Sequence, residues 1–302
     1  MARAFAFGTG PFDPTHRFET SWLVSPWVLF GCRALMSLYA FTTLFFTIGY
    51  RCTTPSLGGC AAAGASFSYF TVLTYWGIAF YSLVSSIHTL SYILSSSRIS
   101  RSPSISNPPS SSLLQNLPRA LQALHSLLYT SIVTYPILVT VVFWSLLSSP
   151  TTLSGPYSAW SNISQHALNS VFCVFEILIP RTKPLPWVHL PFLILVLALY
   201  LALAYLTRAT QGFYTYSFLD PGIQKHGLVA AYVFGIAVGI CLIFALVKGL
   251  IWLRIWVTET RCRMRGKFAK GDVVGAGASS ADAPVTGVVS VISRKDEEMG
   301  QI

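Results

Sequence analysis

The sequence predicts an all-α, polytopic membrane protein with six transmembrane helices and both termini in the cytoplasm. Hydrophobic residues make up 53% of the 302 residues and charged residues only 10%, whereas a soluble domain carries roughly 25% charged residues. Several stretches also reach the ~20 apolar residues that a helix needs to cross a bilayer. A water-soluble fold could not cover itself with so few polar side chains, so the membrane class follows.

Six apolar stretches define the predicted spans. In chain order they lie at about residues 27–49, 67–94, 121–147, 161–179, 188–207 and 228–253. A cytoplasmic N-terminal segment at 1–26 precedes the six-helix domain at 27–257, and it lacks the continuous apolar core of a cleavable signal peptide. A Ser/Pro-rich cytoplasmic linker is predicted at 95–119, too polar to bury anything, and a basic, then disordered, cytoplasmic tail at 258–302.

The distribution of Lys and Arg predicts the orientation. With a cytoplasmic N-terminus, the outer loops contain only Arg51, Arg208 and Lys225, while the inner segments up to Lys270 contain thirteen basic residues. Cytoplasmic loops of membrane proteins carry such an excess. The formal net charge of +10 therefore reflects orientation and contact with anionic membrane lipids, and no nucleic-acid partner is expected.

The six cysteines are scattered, with no CxxC pair and no His/Cys spacing suited to zinc. No metal and no organic cofactor is therefore implied. Cys52 and Cys60, in one short outer loop, are the pair able to form a disulfide, and free thiols are the alternative.

Polar side chains recur along one face of the predicted fourth span. At about 100° per residue they fall within a sector of roughly 120°, opposite an aliphatic and aromatic face. The members are Asn162, His166, Asn169, Ser170, Cys173 and Glu176. Ionisable groups inside a membrane are costly and tend to mark function, so His166 is a candidate functional residue, with a structural role as the alternative. Arg33, near the inner end of span one, is expected to extend to the cytoplasmic interface.

A second polar face, rich in hydroxyl groups, follows the predicted second span and is expected to point inward. Its members are Ser68, Thr71, Thr74, Tyr75, Ser82, Ser85, Ser86 and Thr89. For most of them the alternative is structural, because Ser and Thr bond to the preceding helical turn and pack helices together.

Thr71 and His166 are predicted to lie at a similar depth. Thr71 lies roughly 6 Å and His166 roughly 6–8 Å beyond the outer starts of their helices. The sequence leaves open whether these two helices are neighbours. A threonine hydroxyl beside a neutral imidazole suits acyl transfer, because the imidazole can take the hydroxyl proton. Asn162, one turn before His166, can orient the ring or cap the helix, while Glu176 is about 15 Å away along the axis and cannot touch the ring.

Three short motifs resemble those of a known family. Residues 67–71 (FSYFT) open span two, Trp160, Asn162 and His166 open span four, and residues 212–220 (GFYTYSFLD) follow span five. Together they resemble the androgen-induced (AIG/ADTRP, FAR-17a-like) membrane hydrolases over roughly residues 65–255. Two positions depart from the family pattern: Ile163 stands where a second histidine is common, and residues 216–220 (YSFLD) replace a YPFLE pattern.

The resemblance implies a six-helix membrane protein with cytosolic ends that hydrolyses fatty acid esters of hydroxy fatty acids, with Thr71 and His166 as the catalytic pair. Asp220, an acid of the loop between spans five and six, either helps to close the cavity or caps a turn before Pro221. Without any other address signal, the endoplasmic reticulum is the expected location.

The function predicted from the sequence is thus a lipid ester hydrolase that forms an acyl-threonine intermediate. The alternative is a non-enzymatic lipid-binding or transport protein in which the same polar faces line a cavity. The expected partners are a lipid ester substrate and membrane lipids, and the sequence leaves the oligomeric state open.

Overall fold

The computed structural model describes residues 12–101 and 112–264. These residues form helices joined by short turns and contain no β-strand, only an isolated bridge between Ser21 and Pro180. The helices are α1 (Pro26–Thr53), α2 (Gly59–Ala65), α3 (Phe70–Arg101), α4 (Leu113–Asn116), α5 (Arg119–Ile132), α6 (Tyr135–Val142), α7 (Pro156–Ile163), α8 (Asn169–Leu178), α9 (His189–Gln211) and α10 (His226–Ile255).

Several helices continue into π-helical turns. The π segments follow α6, join α7 to α8, and follow α10; they are Phe143–Leu147, Ser164–Leu168 and Trp256–Arg261. In a π turn the hydrogen bonds run from i to i+5, so one extra residue enters the turn and shifts the helical face that follows.

The all-α, multi-pass membrane class is confirmed. Five helical stretches in the described part of the chain are long and apolar enough to cross a membrane, and they match predicted spans one, two, three, five and six: Pro26–Thr53, Phe70–Ser97, Arg119–Leu147, His189–Gln211 and His226–Arg261. The predicted fourth span corresponds to α7, the π turn Ser164–Leu168 and α8. Together they form a helix that the π turn interrupts. Six crossings and cytoplasmic termini remain predictions.

Neighbouring long helices run in opposite directions. The start of α1 meets the end of α3, where Arg33 donates to the Thr89 hydroxyl at 2.9 Å. The end of α9 meets the start of α3, where Thr207 donates to Ser68 at 3.1 Å. We call the end where α3 begins the outer end, following the predicted topology, and the opposite one the inner end.

The hydroxyl face of α3 points inward as predicted. All its members except the partly exposed Thr74 are buried, while Leu73, Phe80, Leu83 and Ile87 on the other side are exposed. Several of the hydroxyls bond to their own helix, for example Thr89 to the Ser85 carbonyl at 2.8 Å. The structural alternative therefore describes Thr74, Ser86 and Thr89, whose hydroxyls have such bonds.

Side chains of α8 form hydrogen bonds with the backbone at the break between α5 and α6. Pro136, near the start of α6, has no N–H to give to the preceding turn. Around this break, the Cys173 thiol donates to the Val133 carbonyl at 3.2 Å and the Ser170 hydroxyl donates to the Pro136 carbonyl at 3.1 Å. Polar side chains of the predicted fourth span thus donate hydrogen bonds to backbone carbonyls of the third span.

The expectation that Arg33 extends to the interface is wrong. Its side chain is only 1% exposed and forms two hydrogen bonds of 2.7 Å with the Glu176 carboxylate. A third donor nitrogen bonds to the Phe18 carbonyl at 2.7 Å. A buried charge is tolerated when a partner of opposite charge and further hydrogen bonds compensate for lost water, and here Glu176 is that partner.

The linker prediction is wrong at both flanks of 95–119. Residues up to Arg101 continue α3, and Leu114 is fully buried. The Gln115 amide donates to the Asp13 carbonyl at 3.0 Å, so the N-terminal segment packs there too. Residues 102–111 lie outside the described residues, as do residues 265–302, where the disordered tail is predicted.

Candidate active site

Thr71 lies in the first turn of α3 at the outer end. A short 3-10 turn, Ser66–Ser68, leads into the helix, and the Thr71 side chain is 8% exposed. The Phe70 amide donates to the Tyr216 hydroxyl at 3.1 Å. A Tyr216 side chain from the loop after α9 thereby serves as the acceptor for an N–H group that the helix start leaves free.

Tyr216 and Thr71 both line the two cavities described below. Burial raises the pKa of the Tyr216 phenol. A tyrosine hydroxyl is already protonated at physiological pH, and burial raises its pKa further, so Tyr216 keeps an O–H to donate.

His166 lies in the π turn between α7 and α8. Its backbone carbonyl accepts hydrogen bonds from the Thr140 hydroxyl at 2.8 Å and from the Trp144 indole at 3.0 Å. Its ring stacks on Phe143, with centroids 3.4 Å apart and an interplanar angle of 3°. The backbone and the ring plane are therefore both held by the π segment that follows α6.

His166 has a ring nitrogen, Nδ1, without a hydrogen-bond partner. Its side chain is 9% exposed, and Nδ1 is buried and unbonded. No hydrogen bond joins the ring to the Thr71 hydroxyl in this structure. Catalytic hydrogen bonds are often long or poorly aligned before substrate binds, and the catalytic pairing of these two residues stays a prediction.

Thr71 and His166 line the same cavity, which we call the polar cavity. It has a volume of about 420 Å³, and its walls also include Arg51, Asn162, Gln165 and Tyr216. The sequence left open whether the second and fourth predicted spans are neighbours. In the structure, residues of both spans line this cavity.

A second cavity, which we call the apolar cavity, lies on the other side of Thr71. It has a volume of about 190 Å³ and is lined by aliphatic and aromatic side chains of α6, α9 and α10. The residues common to both cavities are Thr71, Phe143, Leu147 and Tyr216. The threonine thus lies at the boundary between a polar and an apolar space.

The helix starts used for the depth estimate were wrong, although the two residues do share a cavity. The estimate placed these starts near residues 67 and 161, but α3 begins at Phe70 and α7 at Pro156. His166 therefore lies roughly 15 Å along its helix rather than 6–8 Å.

Asn162 does not orient His166, and it does not cap its helix. Its amide donates to the Thr152 carbonyl at 2.9 Å and to the Ser158 carbonyl at 3.0 Å. It lines the polar cavity from that position. Its hydrogen bonds tie α7 to the loop before it.

Asp220 caps a turn, the second of its two predicted roles. Its carboxylate accepts the Gly222 amide at 2.8 Å, and it is absent from the walls of the polar cavity. The same loop does supply Thr215, Tyr216 and Ser217 to that cavity, so the loop contributes there through residues before Asp220.

Cys52 and Cys60 form a disulfide. It joins the end of α1 to α2, and Ala62 and Ala65 of α2 line the polar cavity. Disulfides persist in oxidising compartments, which agrees with the predicted outer position of this loop.

Sequence reasoning missed Tyr216, Trp144 and Arg51 as parts of the site. Tyr216 stands within the quoted motif after span five, so its position was marked without a role. Arg51 was counted only as an outer charge, and Trp144 gave no signal because its partner is a backbone carbonyl. Their roles depend on contacts between distant parts of the chain.

Comparison with known proteins supplies one match. A family model described as FAR-17a/AIG1-like protein matches residues 32–250. Neither a curated protein nor a solved structure matches the chain.

Proposed function

This chain belongs to the FAR-17a/AIG1-like family, and from that premise we propose that it is a membrane-embedded lipid ester hydrolase with Thr71 as nucleophile and His166 as general base. The observation that carries the proposal is the polar cavity, whose wall contains both side chains. The unbonded, buried Nδ1 of His166 supports it, since an imidazole nitrogen without a partner is available to accept a proton.

The proposed reaction proceeds in two steps. The Thr71 hydroxyl oxygen attacks the ester carbonyl carbon while His166 accepts its proton. The bond from that carbon to the alcohol oxygen breaks, and His166 returns the proton to the leaving alcohol. Water then attacks the acyl-threonine with His166 again as base, which releases the fatty acid and restores Thr71.

Tyr216 is proposed to stabilise the negative oxygen that forms in each step. Its hydroxyl accepts the amide of Phe70, the residue before Thr71, and both Tyr216 and Thr71 line the two cavities, so the Tyr216 proton can be directed to an ester oxygen beside Thr71. A donor placed in this way favours the tetrahedral intermediate over the ground state.

The substrate class proposed from the family resemblance is a fatty acid ester of a hydroxy fatty acid. Membrane lipids are proposed as the surroundings and the endoplasmic reticulum as the location. No metal or organic cofactor takes part in the proposed reaction, because the nucleophile, the base and the oxyanion donor are all side chains of this chain.

The test compares purified wild type with Thr71→Ala and His166→Ala. Each change should lower ester hydrolysis by at least about 10³-fold, since nucleophile and base act as a unit. Thr74→Ala and His226→Ala are matched controls: the Thr74 hydroxyl bonds to its own helix, and His226 is exposed. Full activity of a folded Thr71→Ala or His166→Ala protein would end this mechanism.

The second candidate is a lipid-binding or transport protein, which the apolar cavity favours because it can hold an acyl chain without any chemistry. A fluorophosphonate probe separates the two functions. Covalent labelling of Thr71 supports the hydrolase, whereas lipid binding without labelling or turnover supports the alternative.

A further inference from the structure

A cationic residue, Arg51, is part of the wall of the polar cavity. Arg51, near the end of α1, is half-buried and is the one charged side chain among the described residues that line this cavity. None of the ion pairs in the described part of the chain involves it. A guanidinium at a cavity wall without a protein anion favours a ligand that carries one, because it can donate two parallel hydrogen bonds to a carboxylate or phosphate.

The positions of Thr71 and His166 determine which half of an ester occupies each cavity. Thr71 lines both cavities, but His166 lines only the polar one. The leaving alcohol oxygen must lie within hydrogen-bond reach of the group that protonates it. The alcohol half of the ester therefore belongs in the polar cavity with His166, and the acyl chain in the apolar cavity.

We propose that Arg51 forms a subsite for an anionic group on the alcohol half of the ester, so that the protein selects lipid esters whose leaving alcohol is charged. This inference rests on the proposed hydrolase function. The Cys52–Cys60 disulfide begins at the residue after Arg51 and fixes this end of α1 to α2, which limits the movement of the Arg51 backbone.

Arg51 takes no part in bond making or breaking. It binds the anion before the reaction and in the transition state alike, so its removal should raise KM far more than it lowers kcat. The same anion could be a fatty acid carboxylate or a phospholipid phosphate, and the choice of substrates distinguishes them.

The experiment measures kcat/KM of the full-length purified protein on two substrate pairs. One pair is a fatty acid ester of a hydroxy fatty acid and its methyl ester at the free carboxylate. The other is phosphatidylglycerol and diacylglycerol. Wild type should prefer the charged member of one pair by about tenfold to a hundredfold, which is the usual worth of a hydrogen bond to a charged group.

Arg51→Gln should abolish that preference by raising KM for the charged ester about tenfold to a hundredfold, far more than it raises KM for the neutral ester. Arg51→Lys should retain part of it. Lys225→Gln, which removes an exposed outer charge, controls for general attraction and should keep the full preference. Equal wild-type rates on charged and neutral esters, or a preference that survives Arg51→Gln, would overturn the subsite while leaving the hydrolase intact.

A binding measurement keeps the subsite testable if the hydrolase proposal fails. In Thr71→Ala protein, equilibrium binding of a radiolabelled hydroxy fatty acid should weaken about tenfold when Arg51→Gln is added. Binding of its methyl ester should not change. If the two ligands bind alike with Arg51 present, the anionic subsite is refuted independently of turnover.

Discussion

The inner and outer ends of the helix bundle differ in how their arginine side chains are partnered. At the inner end, Arg33 is matched by Glu176, and Arg254 donates to backbone carbonyls at the end of α8, including that of Ile177 at 2.7 Å. At the outer end, Arg51 has no ion pair among the described residues. Arg33 and Arg51 lie on the same helix, roughly 27 Å apart.

This difference separates charges that hold the fold from charges available to a ligand. A buried ion without partners costs several kcal/mol. A buried cation that is paired with a protein anion therefore stabilises the fold and is not available to bind a ligand. A nitrogen without a hydrogen-bond partner does not by itself indicate a ligand site. His88 and His125 at the inner end each have a buried, unbonded Nδ1, yet neither residue lines the polar or the apolar cavity. The combination of an unpartnered group and a cavity distinguishes the outer end.

The largest effect on stability should come from breaking the inner pair. Glu176→Ala leaves Arg33 buried without its anion and should lower the free energy of unfolding by about 3–5 kcal/mol. The double change Arg33→Met with Glu176→Met should cost less than this single change, because no charge remains buried. Denaturant titration followed by circular dichroism measures both, and an equal or larger loss in the double variant would contradict the role assigned to the pair.

The next effect should appear in catalysis at the outer end. Tyr216→Phe removes the proposed oxyanion donor and should lower kcat about 10²-fold, equivalent to ~2.7 kcal/mol, with KM little changed. Tyr214→Phe in the same loop is the control, since Tyr214 lines neither cavity. Steady-state kinetics decides, and an unchanged kcat in Tyr216→Phe would remove this residue from the mechanism.

A smaller effect is expected where Trp144 holds the His166 carbonyl. Trp144→Phe deletes that hydrogen bond and should cost about 1 kcal/mol of unfolding free energy. Trp76→Phe is a matched control, because the Trp76 indole nitrogen is buried without a hydrogen-bond partner. If both variants lose the same amount, the indole bond contributes nothing to the π turn.

The smallest effect should be that of Arg51→Gln on stability. Because Arg51 has no ion partner to lose among the described residues, the unfolding free energy should change by no more than about 0.5 kcal/mol. Arg33→Gln in the same assay should be far more destabilising. A large loss in Arg51→Gln would place this residue with the structural charges.

The described fold was largely predictable because it depends on local sequence properties. Composition and apolar length identify membrane helices wherever the chain places them, and a period of about 3.6 residues assigned the hydroxyl face of α3 to the interior. The same period placed His166, Cys173 and Glu176 of the fourth stretch on a face that is buried in the structure. Ser164 and Gln165 are also buried, although they were left out of the predicted polar face.

The site was predictable only in part. The sequence selected Thr71 and His166 by residue type and by resemblance, and it counted Arg33 and Arg51 as basic residues of one helix. Only the tertiary structure decided that Arg33 pairs with Glu176 while Arg51 lines a cavity, because the partner of a charge comes from a distant segment. A helical period carries information about neighbours three and four residues away, whereas packing between helices determines which groups are satisfied and which remain free to bind.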